Sequence, residues 1–190
     1  SKGTLYAPYG TSLRLGDLGY QNKAQSDLHV SYNRLEDYVR GLEDAIRTPD
    51  AQYTALGVRG EDGEYRQLND SVLQVENEYY ASIRPKRVTQ PGERPALALK
   101  RHGVEYVEVR SLDLNPFTEH GANGEAMAFL DSLLLYCLFS ESPDITPASK
   151  SEYTRNLQLV VNRGREPNLP LSENGNELTL RELGLQVIEQ

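Results

Sequence analysis

The sequence contains little of what several large protein classes require. Cysteine occurs once among its 190 residues, as Cys137, which excludes an internal disulfide and a zinc site built from several cysteines. A single cysteine is typical of a reducing compartment, so we expect a cytoplasmic protein. The longest apolar run, Leu133 to Phe139, is shorter than the ~20 residues of a membrane-spanning helix. No basic stretch followed by an apolar segment predicts a signal peptide.

Basic residues are also few relative to acidic ones. The chain has 20 Lys and Arg against 28 Asp and Glu, a formal net charge of −8. Binding to nucleic acid or to an anionic membrane needs clustered Lys and Arg. The basic residues between Arg84 and His102 are the main concentration, and such a run is more typical of a solvated loop. We therefore expect neither nucleic acid nor a membrane as a partner.

Apolar residues are scarce for a chain of this length. They make up 38% of the sequence, with 12 Tyr, 3 Phe and no Trp. The first residue is Ser1 rather than Met, and the sequence ends in an apparent helix. We expect residues 1–190 to be a single piece of a larger catalytic domain, with part of its core supplied by other segments. Apolar surface left exposed would favour self-association of the isolated piece.

Hydrophobic periodicity indicates an α+β protein with an antiparallel sheet and separate helices. An apolar stripe that includes Leu35, Val39 and Leu42 predicts a helix at about 33–47. The rest of 1–123 predicts mainly loops and strands: a hairpin turn at 62–63, strands at 71–83 and 104–112, and a surface loop at 86–100. Residues 124–190 are predicted to be mainly helical, with helices at 125–140 and 149–163 and a last one opened by a Thr179/Glu182 capping box. Cys137 is expected to pack in the core.

The predicted strand 104–112 combines an acid and a base on one face. Glu108 and Arg110 are two residues apart, ~6.6 Å along a strand, while Val107 and Val109 face the opposite side and are expected to be packed in the core. A carboxylate in such a place suits Mg²⁺, and a guanidinium suits a carboxylate or phosphate. The alternative is a solvated face with a lateral salt bridge, and spacing alone favours that alternative.

A second predicted strand poses the same question. Glu76, Glu78 and Tyr80 would share one face, and two neighbouring carboxylates repel each other unless a cation lies between them. A metal or substrate site and an exposed polar face both remain open, so the roles of Glu76 and Glu78 are undecided.

Three peptides together resemble the proteobacterial type of glutamate–cysteine ligase. They are residues 9–20 (YGTSLRLGDLGY), 73–87 (LQVENEYYASIRPKR) and 105–117 (EYVEVRSLDLNPF). They occur in the order of the family, and the resemblance extends from about residue 5 to about residue 171. It implies a glutamine-synthetase-like fold and an ATP- and Mg²⁺-dependent ligase. ATP would phosphorylate the γ-carboxylate of glutamate, and the amine of cysteine would attack the acyl phosphate in the first step of glutathione synthesis.

The resemblance also implies roles for individual residues. Glu108 matches a metal-binding carboxylate, and Arg110 matches a catalytic arginine beside the transferred phosphoryl group and the substrate carboxylate. Arg14, Tyr20 and Tyr80 match residues that bind the cysteine substrate. Because the family's chain is much longer and supplies further metal ligands, we expect the isolated 190-residue piece to be inactive. The alternative from another class is a non-catalytic interaction module that retains the fold.

Overall fold

The structure, a computed structural model, describes residues 3, 6–19, 23–25 and 28–189. The chain forms two compact units. The central unit comprises residues 21–111, and the terminal unit comprises residues 1–20 and 112–190. Among the described residues, no helix has both the length and the apolar character to cross a membrane.

The described residues of the central unit form three α-helices and one two-stranded sheet. The elements are α1 (Leu35–Ala45), α2 (Ala51–Leu56), β1 (Ile83–Lys86), α3 (Pro95–His102) and β2 (Tyr106–Val109), with 3₁₀ turns at Lys23–Gln25 and Glu76–Glu78. Helix α1 lies within the range predicted from its apolar stripe. Helices α2 and α3 were not predicted. The loop prediction for 86–100 was wrong over α3. Pro95 is typical of a loop, but it occupies the first turn of that helix, where a backbone N–H would make no hydrogen bond within the helix.

The core of the central unit lies between α1 and α3. Helix α1 buries Tyr38, Val39, Leu42 and Ala45, which pack in one cluster with residues of α3 and of the adjoining loops; those partners include Ala96, Leu99, Val30 and Leu73. Burying one aliphatic side chain of this size stabilises a fold by about 1.5–3 kcal/mol. The cluster therefore fixes α3 and the loop before the 3₁₀ turn relative to α1.

Strands β1 and β2 form an antiparallel hairpin-like pair in which Arg84 lies opposite Glu108 and Ile83 lies opposite Val109. The predicted core position of Val107 was wrong, because its side chain is 44% exposed. It borders an open apolar hollow of about 240 Å³ that Tyr38, Ile83 and Pro85 also line. A two-stranded sheet has no second layer of its own to cover this face.

The terminal unit is mainly helical, with one hairpin. Its elements are α4 (Gly124–Phe139), α5 (Pro147–Arg163), β3 (Pro170–Glu173), β4 (Asn176–Thr179) and α6 (Leu180–Ile188). The capping box predicted at Thr179 and Glu182 is confirmed. The β3–β4 hairpin was not predicted, although Asn174-Gly175 has positive φ angles of 51° and 78° and is a strong signal for a two-residue turn.

Helix α4 is apolar but has no buried residue. Leu138 is 73% exposed and Phe139 is 83% exposed. Cys137 is exposed as well, so the prediction that it packs in a core was wrong for this structure. A helix that is apolar on every side needs cover from several directions, and the described elements of this unit do not provide it. The helices and the two antiparallel sheets together confirm the α+β class.

Candidate functional site

The central unit brings together three of the residues singled out by the sequence: Tyr80, Glu108 and Arg110. Glu108 lies on β2, and Arg110 follows one residue after the end of that strand. The backbone N–H of Arg110 donates to the carbonyl of Ser82 at 2.7 Å, which continues the β1–β2 pairing past the strand. The guanidinium carbon of Arg110 lies 5.4 Å from the centre of the Tyr80 ring, within the range of a cation–π contact. The sheet thus holds an acid, a base and an aromatic hydroxyl in one neighbourhood.

Arg84 joins this group and was missed by sequence reasoning, which counted it among the basic loop residues. Its Nε and Nη2 donate to Oε2 of Glu108 at 3.0 and 2.6 Å. Its Nη1 donates to the carbonyl oxygens of Asn77 and Tyr79 at 3.1 and 3.0 Å. The Arg84 side chain is 9% exposed, so these bonds are shielded from water. Pairing 83–86 with 106–109 as strands would have placed Arg84 opposite Glu108 and would have revealed it.

The charge of Glu108 is stabilised by its surroundings. The hydrogen bonds from Arg84 lower the pKa of Glu108 and outweigh the rise that partial burial causes. The positive charges of Arg84, Arg110 and Lys86 lower this pKa further. In the described part of the chain, hydrogen bonds reach only Oε2 of Glu108, and its side chain is 37% exposed. The other carboxylate oxygen is therefore accessible to a cation.

Three tyrosines pack beside the β1–β2 sheet. Tyr32 and Tyr79 each meet the ring of Tyr38 edge-on, with centroid distances of 5.3 and 6.1 Å. The hydroxyl of Tyr32 donates to the carbonyl of Ile83 at 2.9 Å. Burial raises the pKa of both Tyr32 and Tyr38, so these hydroxyls stay protonated. The cluster supports β1 and carries no charge into the site.

One carboxylate does not make a metal centre. Within the ranges that the structure describes, no three or more His, Cys, Asp and Glu side chains are grouped to hold an ion. The accessible oxygen of Glu108 is a hard ligand of the kind that Mg²⁺ prefers, so this residue fits one position in a magnesium site. A complete magnesium site would need further ligands beside Glu108.

Glu76 and Glu78 do not share a strand face with Tyr80, because the predicted strand at 71–83 is a strand only from Ile83 onward and contains a 3₁₀ turn at Glu76–Glu78. Glu76 is 6% exposed, and its carboxylate accepts hydrogen bonds from Nε of Arg94 at 2.8 Å and from the backbone N–H of Ala96 at 3.1 Å. Glu78 is exposed and accepts from the N–H of Gln74 at 2.7 Å. Glu76 thus secures the start of α3, and the metal interpretation has no support there.

Arg14 belongs to the terminal unit, where Asp113 shapes its loop. Oδ1 of Asp113 accepts the N–H groups of Leu13 and Arg14 at 3.0 and 2.9 Å, and Oδ2 accepts the hydroxyl of Ser12. Burial acts to raise the pKa of Asp113, but the hydrogen bonds from Ser12, Arg14 and Leu13 prevail and lower it. Sequence reasoning missed Asp113. Tyr20 lies outside the described residues.

Comparison with known proteins gives a consistent result. The family model for glutamate–cysteine ligase matches residues 1–160. The glutamate–cysteine ligase of Shewanella amazonensis is 52% identical over 188 residues, which cover 99% of this chain and 36% of that protein. The enzyme of Pseudomonas paraeruginosa is 49% identical, covering 98% of this chain and 35% of its own length.

A solved structure agrees. The crystal structure of a glutamate–cysteine ligase from Francisella tularensis in complex with AMP has a TM-score of 0.89 and 39% sequence identity, covering 96% of this chain and 36% of that one. The chain therefore spans about a third of the length of the relatives that it matches.

Proposed function

The chain belongs to the glutamate–cysteine ligase family, and from this premise we propose that it forms part of the catalytic domain of an ATP-dependent ligase. The ligase joins the γ-carboxylate of L-glutamate to the amine of L-cysteine, the first step of glutathione synthesis. ATP transfers its terminal phosphoryl group to the γ-carboxylate, the amine attacks the acyl phosphate, and phosphate leaves as the amine gives up a proton. A relative crystallised with AMP supports a nucleotide substrate.

The observation that carries this proposal is the grouping of Tyr80, Glu108 and Arg110 on the β1–β2 sheet. A planar guanidinium matches the oxygens of a carboxylate or phosphoryl group through two parallel hydrogen bonds. Contact with the Tyr80 ring holds the Arg110 guanidinium in place, so less side-chain freedom is lost when substrate binds. We assign Arg110 to the transferred phosphoryl group and substrate carboxylate, and Tyr80 to the cysteine substrate.

We also assign Arg14, in the terminal unit, to the cysteine substrate. Asp113 accepts hydrogen bonds from the backbone N–H groups of Leu13 and Arg14, which fixes the backbone position from which the Arg14 side chain extends. Tyr20, outside the described residues, keeps its proposed role in binding the cysteine substrate. These assignments depend on matching residue types, Arg for a carboxylate and Tyr for a directed hydrogen bond.

We propose Mg²⁺ as the cofactor, held in part by Glu108. When bound, the ion neutralises the charge of the triphosphate and of the transferred phosphoryl group. The contribution of this chain is an ionised carboxylate with an accessible oxygen, fixed in orientation by Arg84. Since a single carboxylate is insufficient, the isolated chain is expected to be inactive and to bind Mg²⁺-ATP weakly or not at all.

The test is a ligase assay on the full-length protein that contains this chain. ADP release should require both glutamate and cysteine, and mass spectrometry should detect γ-glutamylcysteine. The 190-residue chain assayed alone should give neither product. A folded full-length protein that releases no ADP under these conditions would support the alternative, a non-catalytic interaction module. The cytoplasmic location remains a prediction, which cell fractionation would test.

A further inference from the structure

Arg84 links two parts of the site that are distant in sequence. One edge of its guanidinium, Nε and Nη2, faces Glu108 on β2. The remaining nitrogen, Nη1, faces the carbonyl oxygens of Asn77 and Tyr79, in the segment that leads directly to Tyr80. A single buried side chain thus contacts the proposed metal ligand and the backbone that positions a proposed substrate residue.

The chemistry of this contact requires arginine. The guanidinium is planar and directs its donors along fixed axes, so it can bind a carboxylate on one edge and two carbonyls at the other end. A lysine in the same place keeps the charge, but its single nitrogen cannot reach both partners in this geometry. Arg84→Lys therefore keeps the positive charge beside Glu108 but removes the simultaneous hydrogen bonds to Glu108 and to the backbone before Tyr80.

Stabilisation of the β1–β2 sheet does not by itself account for the hydrogen bonds of Arg84. Arg87 also pairs with a residue of the opposite segment, Glu105, at 3.6 Å, and its side chain is 30% exposed. That pair is consistent with an ordinary surface ion pair of small energetic value. Arg87 also donates to the carbonyl of His102 at 2.7 Å, an exposed contact away from the site. Arg84 differs because it is buried and because two of its hydrogen bonds reach the segment that leads to Tyr80.

We propose that Arg84 is a positioning residue that couples Glu108 to the Tyr80 segment, so that it sets the affinity of the site for the divalent cation and for the amine substrate together. This inference rests on the function proposed above. Arg84 touches neither substrate nor metal in this role and acts through the orientation of the groups that do. Partners of this kind commonly change metal affinity by about 10- to 100-fold when they are removed.

The test uses the full-length protein with Arg84→Lys, and with Arg87→Lys, directly after β1, as the matched control. The dissociation constant of Mn²⁺, used as a spectroscopic substitute for Mg²⁺, is measured by electron paramagnetic resonance without turnover. KM for cysteine and kcat are measured in parallel. Arg84→Lys should weaken Mn²⁺ binding by about 10- to 100-fold. It should also raise KM for cysteine by roughly 2- to 12-fold, the range for one misplaced hydrogen bond. Arg87→Lys should change neither quantity.

A merely structural role gives a different pattern. It would lower kcat in proportion to the folded fraction and leave both affinities unchanged, which would overturn the proposal. If Arg84→Lys does not fold, Arg84→Gln provides a second test, because its shorter side chain leaves Glu108 in place but cannot donate to both Glu108 and the carbonyl oxygens of Asn77 and Tyr79. KM for cysteine should then rise, and an unchanged KM would overturn the coupling. Absence of ligase activity in the unmutated protein would instead overturn the proposed function itself.

Discussion

Substituting Glu76 by alanine should destabilise the central unit far more than the same substitution at Glu78. The two residues lie in one 3₁₀ turn, and the sequence makes them equal candidates for a functional site. In the structure, Glu76 is buried and accepts the N–H of Ala96 in the first turn of α3, together with the guanidinium of Arg94. Glu78 is exposed, and its partner, the N–H of Gln74, belongs to an exposed contact.

The magnitude follows from the two lost interactions. Leaving the buried N–H of Ala96 without an acceptor costs about 1–3 kcal/mol. The ion pair with Arg94 adds about 0–1 kcal/mol, because the Arg94 side chain is 51% exposed and the pair is screened by solvent. A central value of about 2.5 kcal/mol corresponds to a fall of ~5–10 °C in the unfolding midpoint of a chain of this size. Glu78→Ala should stay within about 0.5 kcal/mol of the unmutated protein.

Urea unfolding followed by circular dichroism measures both variants, and hydrogen exchange at the Ala96 amide gives the local effect. Glu76→Ala should speed the exchange of this amide, because the start of α3 loses its acceptor. Glu78→Ala should leave that exchange unchanged. Equal losses of stability in the two variants, or an Ala96 amide that remains protected in Glu76→Ala, would show that Glu76 does not secure α3.

Four further outcomes can be measured. Arg84 lowers the pKa of Glu108 in the folded protein, so the ionised carboxylate stabilises the fold at pH values above its ordinary pKa of 4.5. This stabilisation is lost as the pH falls through the lower pKa of the folded state. Glu108→Gln should therefore flatten the dependence of the free energy of unfolding in urea on pH over this range. In the full-length protein, Arg110→Lys should reduce kcat far more than thermal stability, since the charge remains while the planar fork is lost, and near-normal turnover would contradict this role. In the 190-residue chain, Cys137 should react with a thiol reagent without denaturant, and Leu138→Glu should reduce light scattering from self-associated chains.

Elements stabilised by local interactions were predictable from the sequence. Helix α1 combines a regular apolar stripe with a buried face of Tyr38, Val39 and Leu42, and the stripe alone specifies it. The start of α6 depends on a reciprocal pair of hydrogen bonds between residues three apart, Thr179 and Glu182, which is also a local signal. In both cases the interaction that decides the structure lies within a few residues.

Elements stabilised by distant partners were predicted poorly. The segment at 71–83 has the composition of a strand, but Glu76 turns inward to meet Arg94 and Ala96 about twenty residues later, and a 3₁₀ turn results. The composition of α4 predicts burial, yet composition cannot say whether a neighbour is present to cover the helix. Cys137 was wrongly predicted to be buried for the same reason.

The candidate site shows the same division between residue type and arrangement. Glu108 and Arg110 stand out in the sequence because a carboxylate and a guanidinium alternate with valines, and family resemblance adds their roles. The spacing left a lateral salt bridge as the alternative, and the structure does contain a salt bridge to Glu108, with Arg84 as its partner across the sheet. That bridge and a functional role are compatible, because Arg84 occupies one carboxylate oxygen and leaves the other accessible. The register between β1 and β2 determines that Arg84 is the partner of Glu108, and the sequence of β2 alone does not contain that information.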